Sequence, residues 1–342
     1  MEPALTGRSC MVGWGFSRRK QALVRAFTQR SDVRFVRHGY QVPEGADLLL
    51  WGSTPVPPGT PADVRVCRLE DGFLRSVGLG ADLTRPVSWV LDPIGIYYDA
   101  RHPSALENLL QQAPFPPEEQ ARARVFRERI VRAGLTKYNL AQRAWQRPAG
   151  SQTVVLVAGQ VETDASIATG ALDIRTNIDL LRAVRQSRPG AWLVYKPHPD
   201  VVAGLRAVGQ QEGTAAELCD EVVVDVAMHT LLPQVDEVHV ITSLTGFEAL
   251  LRGKAVYCYG HPFYAGFGLT HDRQPHPRRS RVLALDELVA GALLRYPVYL
   301  SRITGRPCAP EQALDELLQW RAQSSGQPSW WQRCLRPFLA RP

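Results

Sequence analysis

Short apolar runs alternate with amphipathic stretches along most of the chain, the pattern expected of strands interleaved with helices. In the first half, "CMVGW" (10–14), "DVRFV" (32–36), "DLLLWG" (47–52), "VRVCRLE" (64–70) and "SWVLD" (88–92) predict strands. Helices are predicted over 17–30, 104–112 and 117–133. The last of these has acids in its first turn, a charged face, and Gly134 just past its end. The second half restarts the alternation, with strands predicted at 153–158, 191–196, 221–225, 237–242 and 255–259. Its helices are predicted at 174–188, 201–212, 246–252, 285–295 and 310–324.

Between the halves, "QRPAGSQ" (146–152) is a polar break containing Pro and Gly, and it marks the domain boundary. The expected fold class is α/β, with two Rossmann-like domains, 1–150 and 151–325, facing a cleft. Ligands of such sheets sit beyond the carboxyl ends of the strands, so chemistry is sought where the strands stop.

Composition narrows the function classes. Hydrophobic residues make up 45% of the 342, enough for a full core. No apolar run approaches the roughly 20 residues of a membrane span. The start, "MEPALTGRSCMVGWG", has no basic region followed by an apolar one, so a cytoplasmic protein is expected. Cys10, Cys67, Cys219, Cys258, Cys308 and Cys334 are scattered without a C-x-x-C pair, which points to reduced thiols rather than zinc or disulfides. The net charge of +7 suits an anionic partner, although an arginine-rich composition alone also produces it. No segment interleaves aromatic with basic residues as a nucleic-acid platform would, and no P-loop or dinucleotide fingerprint is present. The tail 326–342 joins Trp330, Trp331, Leu335, Phe338 and Leu339 to Arg333, Arg336 and Arg341. That composition fits a membrane-interface segment, and equally a tail packed back on the domain.

Four motifs lie where strands should end. In "RLEDGFLRS" (68–76), Glu70 and Asp71 precede Gly72 and could supply a general base; an Asp-Gly turn with solvated charges is the plainer account. In "TVVLVAGQVETDASI" (153–167), a buried strand runs into Gly159 and Gln160, then Glu162 and Asp164. Helix-terminus electrostatics explain such acids, and so does a carboxylate held near an anomeric carbon. In "LVYKPHPDV" (193–201), two prolines stiffen the turn that presents Lys196 and His198, a cation and an imidazole suited to a leaving phosphate. In "VHVITSLTGFEALLRGKAVYCYG" (238–260), Ser243, Thr245 and Gly246 open a helix and are either an anion site or a simple cap. The following "GHPFYAGFGLTHD" (260–272), which includes His261, could wall a sugar or base pocket.

Taken in order, "RLEDGFLRSVGLGADL", "SWVLDPIGIYYDARHPSALENLL", "AGQVETDASI", "YKPHPDV" and "SLTGFEALLRGKAVYCYGHPFYAGFGLT" resemble the capsule-polysaccharide β-Kdo transferases of the KpsC kind. The resemblance runs from about Gly13 to Gly305. KpsC carries two catalytic modules, and this chain corresponds to one. The resemblance implies a GT-B-like fold, CMP-β-Kdo as donor and retention at the anomeric centre. It implies Asp164 as the nucleophile, Glu70 or Asp71 acting on the acceptor hydroxyl, and His198 with Lys196 handling the CMP phosphate. Ser243 and Thr245 would assist them, with Gly159, Gln160, Glu162, Gly246 and His261 on the donor side. It further implies no metal, a Kdo-terminated or lipid-linked acceptor, and work at the inner membrane face beside capsule assembly proteins. Two alternatives stand beside it: an inverting, sialyltransferase-like enzyme with Asp71 as base, and a non-catalytic accessory of capsule export.

Overall fold

A computed structural model describes residues 10–76, 85–136, 143–150 and 153–323. The basic aromatic tail 326–342 lies outside them, as does the "VGLGADL" portion of the first motif.

Among the described residues the ten predicted strands, joined by two short ones that the pattern does not predict, assemble into two six-stranded sheets. The first sheet contains β1 (Met11–Trp14), β2 (Arg34–Val36), β3 (Asp47–Trp51), β4 (Arg65–Asp71) and β5 (Ser88–Asp92). The second contains β6 (Val154–Ala158), β7 (Trp192–Lys196), β8 (Glu221–Val222), β9 (Glu237–Val240), β10 (Ala255–Cys258) and β11 (His271–Asp272). All pairings in the second sheet are parallel, in the order β11-β10-β9-β6-β7-β8. Its centre reads as unbroken apolar runs because helices cover both faces; every residue of β6 is buried. Strand order reverses between β6 and β9, which opens a crevice beyond their carboxyl ends.

In the first half, α1 (Arg18–Thr28), α2 (Ala105–Gln112) and α3 (Pro117–Arg132) form where the periodicity places them. Ser17 caps α1, Ser104 caps α2, and α3 starts on Pro117 with Glu118 and Glu119 in its first turn. The second half carries α4 (Ala165–Gly170), α5 (Asn177–Ser187), α6 (Pro199–Val202), α7 (Met228–Leu231), α8 (Leu244–Leu251), α9 (Leu285–Val289) and α10 (Pro310–Gln323). A π-helical turn, Ala290–Arg295, continues α9.

Two expectations need correction. The helix expected over 201–212 stops at Val202, and a 3-10 turn follows at Glu212–Glu217. Gly204, at φ +69°, ends it: the Gly204 N–H donates to Val201 O and the Leu205 N–H to Asp200 O, the bonds of a glycine-terminated helix end. Nor does 151–325 keep to the second sheet. After α9 the chain crosses back, and β12 (Pro297–Tyr299) pairs antiparallel with β5 on the first sheet. α10 then lies along α3, with Arg122 bonded to Glu311 at 2.7 Å and Arg129 to Asp315.

One apolar core spans both halves. It joins Phe73, Val90 and Phe126 to Phe247, Phe263 and Leu288. Phe73 stacks on Phe263 with ring centroids 4.4 Å apart. Buried Glu107 on α2 receives Arg279 at 2.9 Å, and Tyr296 Oη donates to buried Asp92 at 2.8 Å. These contacts hold the carboxyl ends of the two sheets facing one another.

Candidate active site

A cleft of about 280 Å³ lies between those strand ends. From the first sheet come Glu70, Asp71, Phe73, Tyr97 and Tyr98; from the second come Gly159, Gln160, Asp164, Lys196, His198, Ser243 and Thr245. Nine of the residues singled out in the sequence thus share one space, although they come from four separate motifs.

Lys196 ends β7 and is only 7% exposed. Burial lowers its pKa to about 8, with Asp225 opposing the shift. Among the described residues no hydrogen bond or ion pair holds its ammonium, so an anion entering the cleft would meet a cation that has already lost much of its water. Gly159 brings the two strand ends together. Its N–H donates to Lys196 O at 2.8 Å, and a Cβ there would lie 2.7 Å from Tyr195 Oη and 3.0 Å from Pro197 Cα. His198 caps α6, its Nδ1 accepting from Asp200 N–H at 3.2 Å. That places the proton of the neutral imidazole on Nε2 as a donor.

Asp164 caps α4: its Oδ1 accepts from Ser166 N–H at 2.8 Å and from Ser166 Oγ at 2.7 Å. On the opposite wall, Asp71 is fully engaged. Its Oδ2 accepts from Arg75 at 2.5 Å and its Oδ1 from Trp89 Nε1 at 3.2 Å. Neighbouring Glu70 accepts from Asp71 N–H through Oε1 at 3.0 Å, while a Cβ at Gly52 would lie 3.0 Å from its Oε2 and 2.6 Å from the Tyr98 hydroxyl. Burial first, then the Glu70 charge, pushes Tyr98 up to about 12, so its phenol stays a donor. Lys20 adds a cation near both acids; burial lowers its pKa, and its Nζ sits 3.4 Å over the Trp51 ring.

Three expected donor-side residues are placed elsewhere. Glu162 sits behind the wall and is satisfied there, accepting from Asn177 N–H and Gln210 N–H at 2.8 Å each. It ties the Asp164 loop to α5 and to the turn after α6. His261 is buried off the cleft, its Nε2 at 3.2 Å from Gln274 O. Gly246 is a packing glycine, because a Cβ there would overlap the Tyr264 hydroxyl, which donates to Ser243 O at 2.5 Å. Gly246→Ala should therefore destabilise the fold by about 1–3 kcal/mol, measured by denaturant unfolding; an unchanged midpoint would refute the close approach.

Ser166, Thr242, Tyr97 and Tyr98 stand inside the quoted stretches without being singled out there, and Asn177 and Lys20 lie outside them. Asn177 is 1% exposed and exchanges two 2.9 Å hydrogen bonds with the Gln160 backbone.

The sequence and fold have known counterparts. Residues 59–149 and 145–306 match the family of capsule polysaccharide biosynthesis proteins. The chain is 44% identical over 284 residues to the capsule polysaccharide modification protein LipA of Neisseria meningitidis serogroup A, covering 81% of this chain but 40% of LipA. It is 41% identical over 278 residues to the lipopolysaccharide-processing protein LpsZ of Rhizobium meliloti, covering 79% of this chain and 63% of LpsZ. The chain thus spans less than two thirds of the length of these relatives. Among solved structures, the β-Kdo 2,7 transferase of Thermosulfurimonas dismutans KpsC superposes with a TM-score of 0.76 at 40% identity, over 91% of this chain and 99% of that one. The β-Kdo 2,4 transferase of the same KpsC superposes with 0.79 at 32% identity, over the same shares. Two Rossmann-like halves, a GT-B-like cleft and these matches together show that the chain belongs to the capsule polysaccharide biosynthesis family, as a member of the KpsC type.

Proposed function

We propose that this chain is a retaining β-Kdo glycosyltransferase, moving Kdo from CMP-β-Kdo to a Kdo-terminated or lipid-linked glycan in capsule or surface polysaccharide synthesis. The observation that carries the reading is a carboxylate, Asp164, presented in the same cleft as Lys196 and His198 and facing a second acid, Glu70. The likeness to two Kdo transferase structures supports the same substrate class.

The chemistry follows from the charges. The donor carries two anions, a carboxylate and a phosphate. Lys196 would neutralise the leaving phosphate and His198 Nε2–H would hydrogen-bond it, while Ser243 and Thr245 at the start of α8 line its approach. Asp164 Oδ2 would attack the anomeric carbon as the bond to the phosphate oxygen breaks and CMP departs. Glu70 would then take the proton from the acceptor hydroxyl as its oxygen displaces Asp164, restoring the starting configuration. Tyr98 would hydrogen-bond the sugar or the base. An inverting enzyme with Asp71 as base is less well supported, because Arg75 and Trp89 occupy both oxygens of Asp71. Work at the inner face of the inner membrane, beside capsule assembly proteins, belongs to the same reading.

Incubation with CMP-Kdo generated in situ and a Kdo-terminated acceptor should release CMP and add one Kdo in β configuration, read by mass and NMR. No CMP release with any such acceptor would refute the activity, and an α product would refute retention. A pH effect accompanies it. Lys196 is charged below about 8 and neutral above, whereas a phosphate monoester completes its second ionisation near pH 6. CMP affinity should therefore fall by about tenfold between pH 7 and 9, and Lys196→Met should bind weakly with a flat profile. Calorimetry that finds the wild-type profile flat would exclude Lys196 from the phosphate site.

A further inference from the structure

We infer that Ser166 is a positioning residue for the proposed chemistry at Asp164, holding the non-attacking oxygen through a hydrogen-bond relay anchored at the β6–β9 crevice. The inference rests on the reading of Asp164 as nucleophile. The relay begins at main chain. Thr242 N–H donates to Gln160 Oε1 at 3.2 Å, which fixes which end of the amide is oxygen. Gln160 Nε2 therefore donates, at 2.8 Å to Thr242 Oγ1 and at 2.7 Å to Ser166 Oγ. The Thr242 hydroxyl, already an acceptor, gives its proton to Ser166 Oγ at 3.2 Å. With Ser166 Oγ accepting twice, its only proton is directed at Asp164 Oδ1, 2.7 Å away. Asn177 clamps the Gln160 backbone from the other side, through both its N–H and its carbonyl.

Capping α4 does not need this relay. The Ser166 main-chain N–H already donates to Asp164 Oδ1, and the hydroxyl adds a second donor to the same oxygen. Two donors on Oδ1 orient Oδ2 for attack. In the first step an Oδ2 lone pair bonds the anomeric carbon while the phosphate oxygen leaves with its electron pair. Oδ1 is then the ester carbonyl. In the second step the acceptor oxygen bonds that carbon, its proton passes to Glu70, and the Asp164 ester oxygen leaves with its electron pair. The Ser166 donors stabilise the carboxylate that reappears.

The test uses CMP-Kdo and a Kdo-terminated acceptor. Ser166→Ala keeps the capping N–H; its kcat should fall by about 10- to 100-fold with donor KM within about threefold, the pattern of an interaction made in the transition state. Ser166→Thr, which keeps the hydroxyl, should restore most of the rate. Thr242→Val keeps the N–H to Gln160 and leaves the serine proton on Asp164, but removes one donor to Ser166 Oγ, and should lower kcat by less, in the same direction. Wild-type kcat in Ser166→Ala overturns the inference; if that variant fails to fold, wild-type kcat in Ser166→Cys, whose thiol is a weak donor of similar size, overturns it equally. Asp164→Asn separates the two ideas: continued transfer overturns the nucleophile reading, whereas an inactive Asp164→Asn beside a fully active Ser166→Ala overturns the relay alone.

Discussion

Replacing Asp164 with Asn should lower transfer by about 10³-fold or more and abolish any covalent Kdo adduct seen by intact mass. The substitution is chosen because Asp164 has two jobs. It caps α4 through Oδ1, and Asn caps a helix about as well as Asp, so stability should change by less than about 0.5 kcal/mol. Asp164→Ala removes both jobs and should cost about 1 kcal/mol in addition to the activity. A protein that keeps its melting temperature and loses its chemistry locates the loss in the carboxylate. An adduct that persists unchanged in both variants would refute the assignment.

The two acids of the opposite wall should separate just as sharply. Glu70→Gln should slow transfer by about 10²- to 10⁴-fold, while the first half-reaction still runs. Rapid mixing should then show one CMP released per enzyme, and mass spectrometry should show the adduct accumulating. Asp71→Asn should behave differently, because it leaves buried Arg75 without its carboxylate. The expected loss is roughly 3 kcal/mol of stability, seen as an earlier denaturant midpoint, with activity falling alongside it. If Asp71→Asn were stable and inactive while Glu70→Gln turned over normally, the roles would be reversed and the inverting mechanism would regain its base.

Much of this architecture was legible along the chain. A five-residue, β-branched apolar run such as Val154–Ala158, bounded by Gly159, reads as a strand buried on both faces, and Ser104, Pro117 and Ser243 announce their helices because capping is a local bond. The strand-end motifs were legible for a related reason: a strand that stops at Gly159 or Lys196 must deliver its next residues to the carboxyl edge of the sheet. Local pattern failed over 201–212, where an amphipathic stretch was cut by Gly204, and the need of that glycine for positive φ outweighed the periodicity.

Glu162 and Asp164 show where sequence stops deciding. They stand two residues apart with the same chemistry, yet one is spent on the N–H groups of Asn177 and Gln210 and the other faces the cleft. Glu70 and Asp71 both line the cleft, but Arg75 and Trp89 hold both oxygens of Asp71. The return of β12 to the first sheet was equally hidden, since three residues carry no signal of which edge they will join. By itself the sequence determined the α/β alternation, the strand ends and the residue types gathered there, because hydrophobic period, capping and turn chemistry act between near neighbours. Tertiary structure alone decided which acids line the cleft, what directs the Ser166 proton, and which glycine packs rather than binds. Those outcomes depend on hydrogen-bond partners as much as 82 residues away, as with Gln160 and Thr242, brought within 2.8 Å by the sheet order.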